Sequence, residues 1–556
     1  MNSQQKYKPI VEETRRWPVV VLSRNSETFI EDVRKEAIVR IKEITGSKAV
    51  LIEELETTLY REKLRVKRNP WKVDPPDDMD FWNDVRSRLV GISTNGSEES
   101  DIDQILDEIV DRYANEILSK FKPSSYRFAR RVVKFGFGRL LNASRVKGWG
   151  SLWSKKYTLN DKILIEGEVD QLRNLGNKGT VVMVPTHFSN MDSILVGWVI
   201  HSMGLPPFIY GAGLNLFNIS ILAYFMNSLG AYKVDRRKKN MIYIETLKAY
   251  SNVAIQKGCH SLFFPGGTRS RSGKIERHLK RGLLNSVVDA QRIIYENDNP
   301  EGPKKVFVVP VTLNYHFVLE APALINQYLK IKGQERYYVE NDEYSSSYRI
   351  LKFLFKFFTK GSDISVSVGQ AMDVLGNHVD FEGNSLDGSG RKISTRDYFM
   401  KNGVVTYDKQ RDEEYTKRLS KVIVDDYHRI GAVFSSHLVA FTAFEILSKR
   451  YSKLDLYNLL RLPDDDIIIE YEEFKESFSK LREVIFQWHK EGKINISNRL
   501  KGDIDAVIKL GINNVGMYHA SRPLIITKDK NISSQSLNTL YYYRNRLDGY
   551  GLEEYL

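Results

Sequence analysis

A chain of 556 residues with 42% hydrophobic and 28% charged residues has the ordinary composition of a globular protein and is long enough for two to four domains. A single cysteine, Cys259, excludes intramolecular disulfides and Cys–Cys zinc sites. A net charge of +13 calls for an acidic partner, which is nucleic acid, anionic lipid or a phosphorylated substrate.

Met1–Arg16 is polar and lacks the apolar core of a signal peptide. Residues 1–154 are predicted as a helical N-terminal domain with one strand-like run, Val19-Val20-Val21-Leu22. Breaks fall at Asp74-Pro75-Pro76-Asp77-Asp78 and in the polar stretch Asn95–Asp101. Residues 155–376 change character, because short β-rich runs alternate with helical periodicity. The predicted strands are Ile163–Ile165, Val181–Val184, Ala231–Val234, Leu262–Phe264, Val306–Val311 and Ile364–Val368. Met241–Gln256 and Lys280–Tyr295 are predicted helices. This alternation implies an α/β fold, with a largely parallel central sheet flanked by helices. Residues 377–412 are rich in Gly, Asp and Asn and read as a loop or linker. Residues 413–556 read as a helical C-terminal region broken at Pro463-Asp464-Asp465-Asp466. No uninterrupted apolar run is long enough to span a bilayer. The nearest, Ile430–Leu447, contains Ser435, Ser436, His437 and Glu445 and reads as a buried helix.

Two strand ends carry chemistry. Val181–Val184 runs into Pro185-Thr186-His187-Phe188-Ser189-Asn190-Met191-Asp192, followed by a helical pattern. With His187 in the turn and Asp192 at the helix start, the carboxylate can fold back onto the imidazole. That is the base and orienting acid of a Ser-His-Asp arrangement, with the nucleophile left to the substrate. Taken alone, the pair reads as a helix cap beside a turn residue, because His and Asp near a helix start are common. Leu262–Phe264 runs into Pro265-Gly266-Gly267-Thr268-Arg269-Ser270-Arg271, where glycine-exposed N–H groups and two arginines suit a phosphate. A nucleotide P-loop is excluded. Gly273 follows Gly267 by six positions rather than five, and Ile275 stands where Ser or Thr would hold Mg²⁺. His316, His437 and Cys259 are expected to be structural.

In this order, four blocks resemble the glycerolipid acyltransferase superfamily. The first is a His-x4-Asp pair (His187, Asp192), and the second a Gly-x-aromatic-x-aliphatic-x-Arg strand (Gly230, Tyr232, Val234, Arg236). The third is a Phe-x-Glu-Gly-Thr-Arg-Ser-Arg turn (Phe264, Gly267, Thr268, Arg269, Ser270, Arg271), and the fourth an aliphatic strand with a central proline, Val308–Val311. Phe434–Leu447 and Tyr542-Tyr543-Arg544-Asn545 resemble the larger branch, the glycerol-3-phosphate and dihydroxyacetone-phosphate acyltransferases. The chain departs from the pattern at Gly266, where the family carries Glu.

The resemblance implies His187 as general base and Asp192 as its orienting partner. It implies a phosphate site at Arg236, Gly267, Thr268, Arg269, Ser270 and Arg271. It also implies direct transfer from acyl-CoA or acyl-carrier protein to the sn-1 hydroxyl of glycerol 3-phosphate, an early step of phospholipid synthesis, with neither metal nor cofactor. The alternatives are a lysophosphatidate acyltransferase and a catalytically silent lipid- or phosphate-binding protein. A nucleic-acid partner is not expected, because the cations gather at a turn and on apolar helices without a nucleic-acid module. Arg349, Lys352, Lys356 and Lys360 recur at steps of three and four among Phe353, Phe357 and other apolar residues, as on a helix at an anionic bilayer. Tyr126–Lys147 is a second such segment. The expected location is therefore a peripheral one on the cytoplasmic face of a membrane.

Overall fold

The computed structural model describes residues 7–95, 99–128, 130–131, 163–214, 224, 226, 230–297, 302, 304–333 and 364–556. The segment 349–360 and most of 126–147 lie outside these residues.

The N-terminal helices are α1 (Pro18–Arg24), α2 (Ser26–Thr45), α3 (Lys48–Arg68), α4 (Asp78–Asn95) and α5 (Glu99–Ile117). Val19–Leu22 is therefore helix and not strand. Pro18 opens α1 with its φ already helical, and Val19, Val20 and Leu22 are buried while Val21 is exposed. That spacing fits one face of a helix and breaks the alternation a strand requires.

The α/β region runs β1 (Ile163–Gly167), α6 (Val169–Gly176), β2 (Thr180–Pro185), α7 (Asp192–Ser202), β3 (Ile209–Gly213) and β4 (Ala231–Val234). It continues with α8 (Met241–Gln256), β5 (Ser261–Leu262), α9 (Arg281–Asn297), β6 (Val306–Tyr315), α10 (Ala321–Ile331) and β7 (Ile364–Val368). The seven strands lie in the order β1-β7-β6-β2-β5-β3-β4. From β6 to β4 all neighbours are parallel, whereas β7 runs antiparallel to β6 and parallel to β1. Every residue of β2 and of β6 is buried, as expected for strands covered on both faces. β3 escapes the sequence pattern because Gly211, Ala212 and Gly213 supply half a strand without the β-branched or aromatic signal. β5 is shorter than expected, since Phe263 and Phe264 leave the ladder to enter the turn.

Beyond β7 come two small hairpins, β8 (Ser385–Leu386) with β9 (Lys392–Ile393) and β10 (Met400–Lys401) with β11 (Val404–Val405). Then follow α11 (Lys409–Ile430), β12 (Ala432–Val433), α12 (Ser435–Arg450), α13 (Leu456–Leu459), α14 (Tyr471–Lys490), α15 (Ile504–Asn514) and α16 (Leu537–Arg544). The run Ile430–Leu447 is thus not one helix. It holds the end of α11, a short strand and most of α12, whose residues Ser435–Leu447 are all buried. No helix among the described residues is long and apolar enough to cross a membrane.

Apolar residues from Ile163 to Leu552 form one continuous core, so the C-terminal helices share the interior of the sheet region. The N-terminal helices build a second core against α8 and the β3–β4 edge, with Tyr232 and Tyr250 at the junction. Cys259 sits buried in this second core, where desolvation raises its thiol pKa far above the ordinary value.

Candidate active site

In a parallel sheet the strands end on one edge, and the loops beyond their carboxyl ends face one crevice. His187 follows β2, Gly266–Arg271 follows β5, Arg236 follows β4 and Tyr315 closes β6, so four separate stretches of chain converge there.

Asp192, fully buried at the first position of α7, accepts the imidazole Nδ1–H of His187 at 2.8 Å. The same carboxylate oxygen accepts the backbone N–H groups of Phe188 (2.7 Å) and Ser189 (3.0 Å), so the acid also caps its helix. Its other oxygen accepts the Tyr315 hydroxyl at 2.5 Å. Desolvation and the Asp192 charge raise the Tyr315 pKa well above its ordinary value, so this phenol stays a donor. With Nδ1 protonated against Asp192, Nε2 is the basic nitrogen. The His187 ring stacks on Phe264, with centroids 4.2 Å apart, and its side chain keeps 13% of its surface exposed against none for Asp192. The base is therefore open to a substrate while its partner is closed to water.

The glycine turn is tied directly to this base, because Ser270 N–H donates to the His187 carbonyl at 2.8 Å. The Ser270 hydroxyl donates to the Lys274 carbonyl (2.8 Å) and the residue is buried, which makes it a brace within its own loop. Arg269 pairs with Glu320 at 3.3 Å. Glu320 also accepts Ser189 Oγ–H (3.1 Å) and Asn190 N–H (2.9 Å), linking the turn to the loop that carries the base. Arg271 is exposed, and Gly267 and Thr268 are partly so.

The cations after β4 divide in two. Arg237 binds Asp235 at 2.7 Å and Asp74, and lies 3.9 Å over the Trp71 ring. Lys238 binds Glu116. Asp74 also binds Arg65 at 3.2 Å, and Asn240 donates to Glu62 at 3.1 Å. The N-terminal helices and the break after α3 thus grip the loop through their acids. Arg236, exposed between these anchored residues, has no carboxylate partner among the described residues. Desolvation and the Arg269 charge lower its pKa from the ordinary value.

Sequence reasoning missed three residues here, namely Tyr315, Glu320 and Arg546. The guanidinium of Arg546 lies 3.4 Å over the Phe188 ring and donates to the Leu313 carbonyl (2.6 Å) and Asn314 Oδ1 (3.0 Å). Desolvation pushes its pKa down to about 10 despite the nearby Asp192 charge. Its only sequence signal is adjacency to Tyr542–Asn545. That segment clamps the far side of the glycine turn, because Asn545 donates to the Ser272 carbonyl (2.9 Å) and Asp548 binds Lys274 (3.0 Å). His437 bonds the Tyr315 carbonyl (2.9 Å) and His316 bonds Ser436 (3.0 Å), both buried and both with pKa values lowered by desolvation. These two histidines are structural. Among the described residues no cluster of side chains could hold a metal ion.

The family model described as Acyltransferase matches residues 166–314, which include all four blocks. Proteins described as glycerol-3-phosphate acyltransferase are similar to part of the chain. One from Aeromonas hydrophila subsp. hydrophila is 31% identical over 226 residues, covering 40% of this chain and 24% of that protein. One from Pseudomonas paraeruginosa is 25% identical over 236 residues, covering 42% and 25%. One from Pseudoalteromonas translucida is 29% identical over 218 residues, covering 39% and 23%. The similarity therefore spans about a quarter of the length of these relatives. Residues 166–314, which match the acyltransferase family, thus carry the strand-end dyad and the arginine-bearing turn on the sheet that brings them together.

Proposed function

We propose that the protein transfers a fatty acyl group from a thioester to a hydroxyl of glycerol 3-phosphate, at sn-1, with acyl-CoA or acyl-carrier protein as donor. The observation that carries this reading is the His187–Asp192 dyad, whose loop is hydrogen-bonded to the turn that bears Arg269. His187 Nε2 removes the acceptor hydroxyl proton as the oxygen attacks the thioester carbonyl. Asp192 stabilises the imidazolium that forms. The C–O bond forms, the C–S bond breaks, and the proton passes from Nε2 to the departing thiolate. Arg236 and Arg269 hold the acceptor phosphate so that the hydroxyl, and not water, meets the base.

The test is an acceptor screen with purified protein and labelled palmitoyl-CoA or palmitoyl-acyl-carrier protein. Labelled product from glycerol 3-phosphate is the expected result. Product from lysophosphatidate alone would move the reading to the second acylation step, and product from no acceptor would reduce the domain to a binding module. In the same assay Arg269→Ala is expected to raise the acceptor KM, through loss of a charge-assisted hydrogen bond of about 1.5–3 kcal/mol, and to leave the donor KM unchanged. Equal weakening toward both substrates would remove Arg269 from the phosphate site.

The proposed product partitions into membranes, and the cationic segment Arg349–Lys360 supports a peripheral location on an anionic, cytoplasmic-face surface. Vesicles containing phosphatidylserine are expected to bind the protein more tightly than neutral ones, with binding weakened by salt. Each cation near the surface contributes about 1 kcal/mol. Lys352→Glu with Lys356→Glu is expected to abolish the difference, and unchanged co-sedimentation would assign the segment to protein packing.

A further inference from the structure

Position 266 holds glycine where the resembling blocks carry glutamate, and its backbone gives no reason for glycine. Gly267 is left-handed, with φ +75°, but Gly266 is not. The reason lies in the surroundings. A Cβ at residue 266 would stand 3.1 Å from Cγ of Glu276 and 3.3 Å from its Cδ and Oε1. The space a side chain at 266 would enter is filled by a carboxyl group arriving from the returning loop.

That loop is built to hold it there. Lys280 N–H donates to the Pro265 carbonyl at 2.7 Å and closes the loop beneath the turn, while the C-terminal region pins it at Ser272. The Lys280 side chain lies against Gly267, where an added Cβ would meet its Cδ at 2.5 Å. The carboxyl of Glu276 is half-buried beside the turn, and the Lys280 charge acts on it. Burial pushes its pKa up to about 7 against the pull of Lys280. Such a position costs stability, and among the described residues no hydrogen bond or ion pair to this carboxyl offsets that cost.

We propose that Glu276 supplies, from ten residues downstream, the carboxyl group that position 266 lacks, and that it is a positioning residue which fixes the Gly266-Gly267 bend and so the course of Thr268 and Arg269. The inference rests on reading the turn as the acceptor phosphate site. Glycine at 266 and glutamate at 276 are then one arrangement, because a side chain at 266 would crowd the Glu276 carboxyl and displace it from the turn.

The test compares wild type with Glu276→Ala and with the relocated pair Gly266→Glu/Glu276→Ala. Two readouts are used, the KM values for glycerol 3-phosphate and acyl-CoA, and amide hydrogen exchange over Gly266–Arg271. Glu276→Ala is expected to raise the acceptor KM about tenfold, leave the donor KM unchanged and accelerate exchange in the turn. The relocated pair is expected to recover both readouts. Wild-type acceptor KM and exchange in Glu276→Ala, or a relocated pair no better than Glu276→Ala, would overturn the proposal. If Glu276→Ala does not fold, Glu276→Gln keeps the volume, and an unchanged acceptor KM in that variant overturns it equally. If the wild type acylates no glycerol phosphate, the functional reading falls, and the exchange data alone decide the role of Glu276.

Discussion

Replacing His187 by alanine is expected to lower kcat by about 10²–10⁴ while the protein remains folded. Among the described residues the ring is hydrogen-bonded on one side only, by Nδ1 to Asp192, and it is partly exposed at the crevice. Its removal deletes one hydrogen bond and the stack on Phe264 but opens no cavity in the core. The loop itself stays in place, because its backbone is held independently of the imidazole. Phe188 and Ser189 donate to Asp192, Asn190 donates to Glu320, and the His187 carbonyl accepts Ser270 N–H. Turnover, and not stability, should therefore carry the loss. KM for both substrates should change little, since the arginines and the turn are untouched. A folded His187→Ala protein with near-wild-type kcat would remove the general-base role.

The dyad was legible in the sequence because it is local. A strand, a turn and a helix start suffice to bring His187 and Asp192 together, and each has its own pattern. The glycine turn was legible for the same reason. Tyr315 and Glu320 were not, because they reach the site through the pairing of β6 beside β2, which no local pattern specifies. Arg546 was hidden further still, since its place over Phe188 depends on the C-terminal helices packing into the core of the sheet. The Arg236-Arg237 pair shows the limit from another side. The sequence presents equivalent cations, but Asp74 from the Pro-rich break after α3 claims Arg237 and leaves Arg236 at the crevice. At Gly266 the sequence recorded only a missing acid. The carboxyl standing in its space comes from a loop with no secondary structure, whose course is set by the Pro265–Lys280 closure. In the fold, Val19–Leu22 and β3 were misread or missed because composition and periodicity pointed in different directions there.

Asp192→Asn separates the two tasks of the buried acid, orientation and charge. The oxygen facing Nδ1 of His187 meets three N–H donors, and the other oxygen meets the Tyr315 hydroxyl. An asparagine amide placed here would turn its carbonyl toward the three donors, because its NH₂ cannot accept from any of them. The imidazole would then keep its tautomer, and the helix start would keep its cap. The NH₂ would face Tyr315, whose hydroxyl would have to accept and swing its own hydrogen away, inside a fully buried site. Leaving that hydrogen unpaired is expected to cost about 1–3 kcal/mol of stability. The rate is expected to fall by roughly 10²–10⁴, because the imidazolium formed during attack loses the carboxylate that stabilises it. In the double variant Asp192→Asn/Tyr315→Phe the introduced NH₂ loses the Tyr315 oxygen as its acceptor, so thermal stability should not recover toward wild type and kcat should stay at the level of the single variant. Recovery of both would make Asp192 a structural cap whose charge the reaction does not use. A single variant within tenfold of wild-type kcat would say the same.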